Sequence, residues 1–478
     1  MANLKKSLKN KPNVNSAALE AASVESAVTK TCALTVQVNT FLNYYLKPHL
    51  NPNQKVLLAL SGGLDSTVLM HLLAESKKSL SFELYALHVH HGLSANANDW
   101  AAFCLNQCEK LGIPLQVVYV KVDIDSPLGL EAAARALRYE ALFSCKLNSD
   151  DATNAKPDYI VTAHHQDDQA ETLLLQLFRG AGVKGLASMA AVDSVKGLLR
   201  PLLGLPRQLL QEYAELHHLA WCEDESNDDT QYERNFVRHE VLPMLEKRHH
   251  AIKSVLARAA SHLAEANHLL NDLAAIDTEP LLVNNSLCLI GLSALATTRA
   301  KNSLRWWFAN NQLAMPTSEH LDEVLQQLLY AKQDANINIV LQNLTLKRYQ
   351  NRGYLSPQQH AQVFDLVWNG EPELTLPNGG QLVFKQVIGA GLALKFGMTK
   401  LRITHRAGGE RFKPNALRPT RTLKHLLQEA NIPPWRRETM PLVYWQDTLA
   451  YVPEIGIAHE LQAIGQEPGI EITWFKWS

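Results

Sequence analysis

The apolar run Val56-Leu57-Leu58-Ala59-Leu60 enters the hexapeptide Ser61-Gly62-Gly63-Leu64-Asp65-Ser66, and residues 67–75 continue with helical character. No other feature restricts the fold so strongly. A buried strand that turns through a glycine pair into a helix is the opening unit of a parallel α/β sheet. The glycines let the backbone turn tightly and approach a ligand. The amides that follow point outward at a helix N-terminus, where the dipole favours an anion. Ser61 and Ser66 add hydroxyl donors around Leu64. Asp65 is the odd member, because an acid beside phosphate is repulsive unless a cation intervenes. A Mg²⁺ ligand is therefore its natural role.

The pattern repeats downstream. Residues 84–90, 115–120 and 159–162 read as strands, and residues 100–111, 130–146 and the stretch ending at Phe178 read as helices. Strands separated by helices of this length predict a doubly wound parallel sheet over residues 51–245. Residues 1–50 read as a leader and a first helix near 36–46. The leader has no apolar h-region and carries Glu20 and Glu25, so it is not read as a secretory signal. Residues 246–395 turn helical (252–275, 318–330) and then β-rich (337–341, 382–384, 392–396). Residues 396–478 are expected to form a small basic domain of mixed α/β character.

Composition narrows the function classes. The chain has 478 residues, with 46 basic and 47 acidic side chains and a net charge of −1. Lys400–Arg437 holds ten basic residues and two acids, Glu410 and Glu429, which makes it a candidate polyanion surface in an otherwise neutral chain. Six cysteines with no C-x-x-C pair suit reduced thiols in a cytoplasmic protein. No apolar run approaches the ~20 residues of a membrane span, so no membrane partner is expected.

Three further clusters carry chemistry. His164-His165-Gln166-Asp167-Asp168-Gln169-Ala170-Glu171 follows the fourth strand. Helical spacing would place His164, Asp168 and Glu171 on one face with Leu175 and Phe178, so the polar trio would look into a cleft above the sheet. The plainer alternative is a capping box between Asp168 and Glu171. Glu131, Arg135 and Arg138 share a helical face, read either as a solvated charged stripe or as a basic face beside phosphates or RNA. His88-Val89-His90-His91 ends the second strand, beside the loop, and makes His88 a candidate nucleotide contact.

The hexapeptide resembles the PP-loop of the N-type ATP pyrophosphatases. With the His88–Leu93 strand end, the 131–139 helix, His164–Thr172, Arg179-Gly180-Ala181-Gly182, Arg200-Pro201-Leu202-Leu203, Arg234-Asn235 and Arg238, the chain is similar to the tRNA(Ile)-lysidine synthase family. The resemblance continues through Gly408–Pro414, Leu423–Leu427 and Pro433-Pro434-Trp435. It departs in a longer leader and in Glu225, where the family pattern has proline.

The resemblance implies an ATP-dependent ligase. ATP adenylates the wobble cytidine of a CAU-anticodon tRNA(Ile), and the ε-amine of L-lysine displaces AMP to give lysidine. It implies that Ser61–Ser66 grip pyrophosphate, with His88 alongside and Mg²⁺ at Asp65. Asp168 and Glu171 would receive the lysine ammonium, one of them or His164 would take its proton, and Arg135 and Arg138 would serve the phosphates or the RNA. A homodimer is compatible with this reading. The alternatives are a PP-loop tRNA thiolase and a non-catalytic tRNA- or nucleotide-binding protein.

Overall fold

The computed structural model describes Val36 and residues 53–476, apart from 78–79, 124, 128, 148–154, 333–334, 336, 359–362, 378 and 395–399. The leader and, Val36 aside, the expected first helix lie outside the described residues. Two compact units divide the chain, Met1–Leu269 and Leu270–Ser478.

The first unit is built on six strands: β1 (Lys55–Ala59), β2 (Glu83–His90), β3 (Leu115–Tyr119), β4 (Tyr159–Val161), β5 (Val192–Asp193) and β6 (Leu198–Leu199). Their order is β3-β2-β1-β4-β6-β5, parallel throughout except for β5 at the edge. Helices α1 (Leu64–Lys77), α2 (Ala97–Lys110), α3 (Leu130–Ser144), α4 (Gln166–Phe178) and α5 (Arg207–Leu216) cover the faces. Because successive strand residues point to opposite faces, β1 serves two cores. Val56 and Leu58 pack with Leu69, Leu73 and Leu210 on one side. Leu57 packs with Leu87, Leu142 and Ile160 on the other. This two-sided burial explains why the strand reads as one continuous apolar run.

Strand order reverses between β1 and β4, and ligands of open α/β sheets bind at the carboxyl ends of the strands at such a switch point. The hexapeptide leaves β1 there, and His164-His165 leaves β4.

The second unit holds two cores. Helices Leu289–Ala294, Thr297–Asn310 and Ser318–Tyr330 pack around Trp307 and Phe308 against the five-stranded antiparallel sheet of residues 282–357. The other core, from Phe364 to Ile472, is mostly strands with the short helices Leu423–Glu429 and Pro434–Thr439. Strand Asp365–Trp368 pairs with Leu401–Thr404, and Gly380–Ile388 pairs with Pro468–Lys476. Residues 364–394 thus belong with the terminal core, not with the helical segment as the 395/396 boundary supposed. Pairing across about ninety residues leaves no local signature in a sequence.

Candidate active site

The loop is held by its own side chains. Gly62 adopts φ +88, in the left-handed region that disfavours any Cβ. Its amide donates to Ser66 Oγ at 3.2 Å, and the Gly63 amide donates to Ser61 Oγ at 3.3 Å. The two hydroxyls meet at 3.0 Å. From outside, the Cys222 amide donates to Gly62 O at 2.9 Å. A methyl group at Gly62 would lie 3.0 Å from Cys104 Sγ. Gly62→Ala is therefore expected to weaken nucleotide binding at least tenfold with a smaller loss of melting temperature; calorimetric titration with ATP checks this.

Leu64, Asp65 and Ser66 already form the first turn of α1, so the turn itself is shorter than the motif. His88 lies beneath it, 5 % exposed, with Nδ1 2.9 Å from Leu60 O. The geometry makes His88 a support for the loop. Burial lowers its pKa, and the neutral ring donates from Nδ1 to that carbonyl.

Asp65 stands at the loop's open end. Its Oδ2 is 3.5 Å from His165 Nε2, and its Oδ1 is 3.7 Å from Arg207 Nε. Oδ1 is buried and has no hydrogen-bond partner among the described residues. An orphaned carboxylate oxygen beside a phosphate loop fits Mg²⁺, which takes one or two carboxylates and completes its shell with phosphate and water.

α4 begins at Gln166, with His165 as its N-cap. The His165 amide donates to Asp168 Oδ2 at 2.9 Å, and the Asp168 amide donates back to His165 Nδ1 at 3.4 Å. The capping box thus joins His165 to Asp168, not Asp168 to Glu171. His164 precedes the helix, so helical spacing does not place it on the helix's face; its Nδ1 meets Thr162 Oγ1 at 2.8 Å instead. Phe178, expected in the core stripe, is 56 % exposed, and Ala170, Leu173 and Leu174 form the buried face.

Asp168 and Glu171 do come together, in a buried ion network. Arg234 donates from Nη2 to Asp168 Oδ1 at 2.7 Å and from Nε to Glu171 Oε2 at 2.8 Å. Arg238 donates from Nε to Glu171 Oε1 at 2.6 Å and from Nη2 to Oε2 at 3.0 Å. The Glu171 side chain is 1 % exposed. Both carboxylates are therefore matched by guanidinium groups rather than open to an incoming ammonium. The arginines come from a helix, Glu233–Phe236, that runs into a π-helical turn, Val237–Val241, a distortion common at functional sites.

The electrostatics sort the two histidines. Burial pushes His164 down to about 3, and Arg200, Arg135 and Arg234 add to this against the pull of Asp168. For His165 burial also opposes charge, but Asp168 and Asp65 outweigh it and the pKa rises. Burial favours the neutral form of Asp168 too, yet His165 and Arg234 hold its carboxyl below the usual range. Between pH 6.5 and about 3 the unfolded chain protonates His164 and the native state does not, so stability falls as pH drops through that window. His164→Asn should flatten this fall; urea denaturation at pH 7 and pH 4.5 measures it.

On α3, Arg138 points both Nε and Nη2 at His91 Nε2, 3.4 Å away. Arg135 lies over the Tyr139 ring at 5.2 Å. His165, Arg207, Arg234 and Arg238 carry roles that sequence reading did not assign. The i, i+4 spacing of Arg234 and Arg238 was the available signal, since it suits a carboxylate between them. Asp167 is spent on structure: Lys253 Nζ lies 3.0 Å from its Oδ2.

Residues 34–245, which contain all of these groups except Lys253, match the PP-loop domain model. Residues 287–354 match the TilS substrate binding domain, and residues 401–474 the TilS substrate C-terminal domain. The tRNA(Ile)-lysidine synthase of Nitrosomonas europaea is 40% identical over 438 residues, covering 90% of this chain and 93% of that protein. The chain belongs to the tRNA(Ile)-lysidine synthase family. The Coxiella burnetii member is 37% identical, covering 88% of this chain and 93% of its own length. The Serratia proteamaculans member is 38% identical, with 91% and 98% covered. The family's two substrate-domain models fall on the two cores of the second unit.

Among the described residues no helix is long and apolar enough to cross a membrane.

Proposed function

We propose that this chain is the ligase that converts the wobble cytidine of a CAU-anticodon tRNA(Ile) to lysidine, using ATP and L-lysine. The observation that carries this reading is the PP-loop with its orphaned Asp65 oxygen, facing the His164–Glu171 cluster across the switch point. The C2 oxygen of cytosine is a poor leaving group. Its attack on the α-phosphate of ATP expels pyrophosphate and leaves an adenylate. The lysine ε-amine then attacks C2, loses a proton, and expels AMP.

The loop amides and the Ser61 and Ser66 hydroxyls hold the departing pyrophosphate. Asp65 would hold Mg²⁺, which supplies charge neutralisation between the phosphates. Arg138 and Arg135 offer donors to phosphate oxygens. Lysine enters as an ammonium, and because Arg234 and Arg238 match the Asp168 and Glu171 carboxylates, these four groups form a neutral cluster at the cleft that neither repels nor directly binds it. His164 is neutral, with Nδ1 on Thr162, which leaves Nε2 to accept a hydrogen bond that orients the amine; its low pKa makes it unsuited to taking the proton itself.

The thiolase alternative finds little support. Cys104 and Cys108 are core residues, and burial pushes their thiols to about 12 and about 11. Pyrophosphate release that requires both tRNA and ATP but not lysine tests the first step; release independent of tRNA contradicts it.

The basic C-terminal segment is less free than its composition suggests. Arg402 pairs with Asp365, Arg406 with Glu410, Arg418 and Arg421 with Glu429, and Arg436 with Glu454. Arg437 is buried, bonded to Ile432 O and Tyr349 Oη. Lys400, Arg411, Lys413 and Lys424 have no ion pair among the described residues and are the cations available for tRNA phosphates. Arg411→Ala with Lys413→Ala should weaken tRNA binding and lower its salt slope by about 0.7–0.9 per lost contact. Binding titrations at several KCl concentrations would show it, and an unchanged slope would confine the segment to its own domain's stability.

A further inference from the structure

A buried guanidinium with no counter-ion among the described residues stands at the carboxyl edge of the sheet. Arg200 follows β6 directly and is 8 % exposed. The Thr162 amide donates to Leu199 O at 3.0 Å, which sets Arg200 beside the Thr162–His164 segment leaving β4. Arg200 Nη1 donates to Ala190 O at 2.6 Å. Its Nε is buried and has no partner among the described residues. The neighbouring arginines differ: Arg234 and Arg238 share Asp168 and Glu171, and Arg207 faces Asp65. Arg135 resembles Arg200 in having no acid partner among the described residues; its contact is the Tyr139 ring. Folding a cation away from water with no anion is costly, and a ligand anion would remove that cost.

We infer that Arg200 forms an anion subsite distinct from the Ser61–Ser66 loop, and that it takes a second phosphate group during the reaction. β6 lies two strands from β1, roughly 9–10 Å at the spacing of paired strands, so a phosphate in the loop and one at Arg200 are different groups. The inference rests on the proposed reaction, in which two phosphate-bearing substrates meet. The nucleotide's α-phosphate and an RNA backbone phosphate present the same chemistry to a guanidinium fork.

Arg200→Gln and Arg200→Lys in the full chain test the subsite. Affinities for ATP, AMP, inorganic pyrophosphate and tRNA(Ile) are measured without turnover, the last across a KCl series. If the subsite holds an RNA phosphate, Arg200→Gln weakens tRNA binding and lowers its salt slope by about 0.7–0.9, with ATP affinity unchanged. If it holds the nucleotide's α-phosphate, ATP and AMP bind at least tenfold more weakly, while pyrophosphate affinity and the tRNA salt slope stay as in the wild type. Arg200→Lys keeps the salt slope or part of the nucleotide affinity, since it retains the charge but not the fork. The melting temperature of Arg200→Gln should match or exceed the wild type, because an uncompensated buried charge is gone. All four affinities unchanged in Arg200→Gln would overturn the subsite, as would a large fall in melting temperature with wild-type binding in Arg200→Lys. Because none of these measurements involves lysine transfer, a wild-type protein that fails to form lysidine would refute the proposed reaction without deciding the subsite.

Discussion

Asp65→Asn should abolish adenylation and leave the fold intact. The side chain sits in the first turn of α1, partly exposed, and its two nearest charged neighbours stand at 3.5 and 3.7 Å, longer than hydrogen bonds. Little native structure depends on it. Its Oδ1 is the buried oxygen left without a partner, and asparagine keeps the shape while removing the charge a divalent cation needs. A loss of two to four orders of magnitude in tRNA-dependent AMP release is expected, the scale of losing a group that stabilises transition-state charge. Melting temperature should move by no more than a few degrees. Activity near the wild type would remove Asp65 from the metal role, and a collapse in melting would mean that it supports the fold instead.

Glu171→Gln should be the most destabilising substitution in the site. Glu171 is the shared acceptor of Arg234 and Arg238, with a side chain 1 % exposed. Its replacement leaves two guanidinium groups facing only Asp168. Breaking a buried ion pair from one side costs about 3–5 kcal/mol, because the partner charge remains without compensation. Denaturant unfolding measures this loss. In protein that is still folded, the Michaelis constant for lysine should rise more than that for ATP, since the cluster of Asp168, Arg234 and Arg238 is left with a net positive charge that repels the ammonium. A variant as stable as the wild type, or one that loses ATP affinity alone, would contradict the account of this network. Asp168→Asn should behave differently, because Asp168 also caps α4 through the His165 amide.

How far the sequence could be read depends on the range of each interaction. The strand–loop–helix around Gly62 was legible because its cause is local: a buried strand, a glycine pair and a helix start within a dozen residues. Asp65 stood out for the same reason, as an acid where an anion should bind. The expected placement of His164 on the α4 face did not hold, since cap geometry rather than periodicity decides where a helix begins. The partners of Asp168 and Glu171 lay hidden more than sixty residues downstream, where only the i, i+4 arginine pair marked them. The basic run from Lys400 to Arg437 was overread, because Asp365, Glu429 and Glu454 neutralise much of it and two of those acids lie outside the run.

The measurement that bears most directly on the account is nucleoside mass spectrometry of a CAU-anticodon tRNA(Ile) after incubation with the protein, ATP, Mg²⁺ and isotopically labelled lysine. The account predicts a single new nucleoside, cytidine carrying the labelled lysine in place of its C2 oxygen, with one AMP and one pyrophosphate released for each residue modified. Unmodified cytidine from folded, ATP-binding protein, or a sulfur-containing nucleoside in its place, would contradict it.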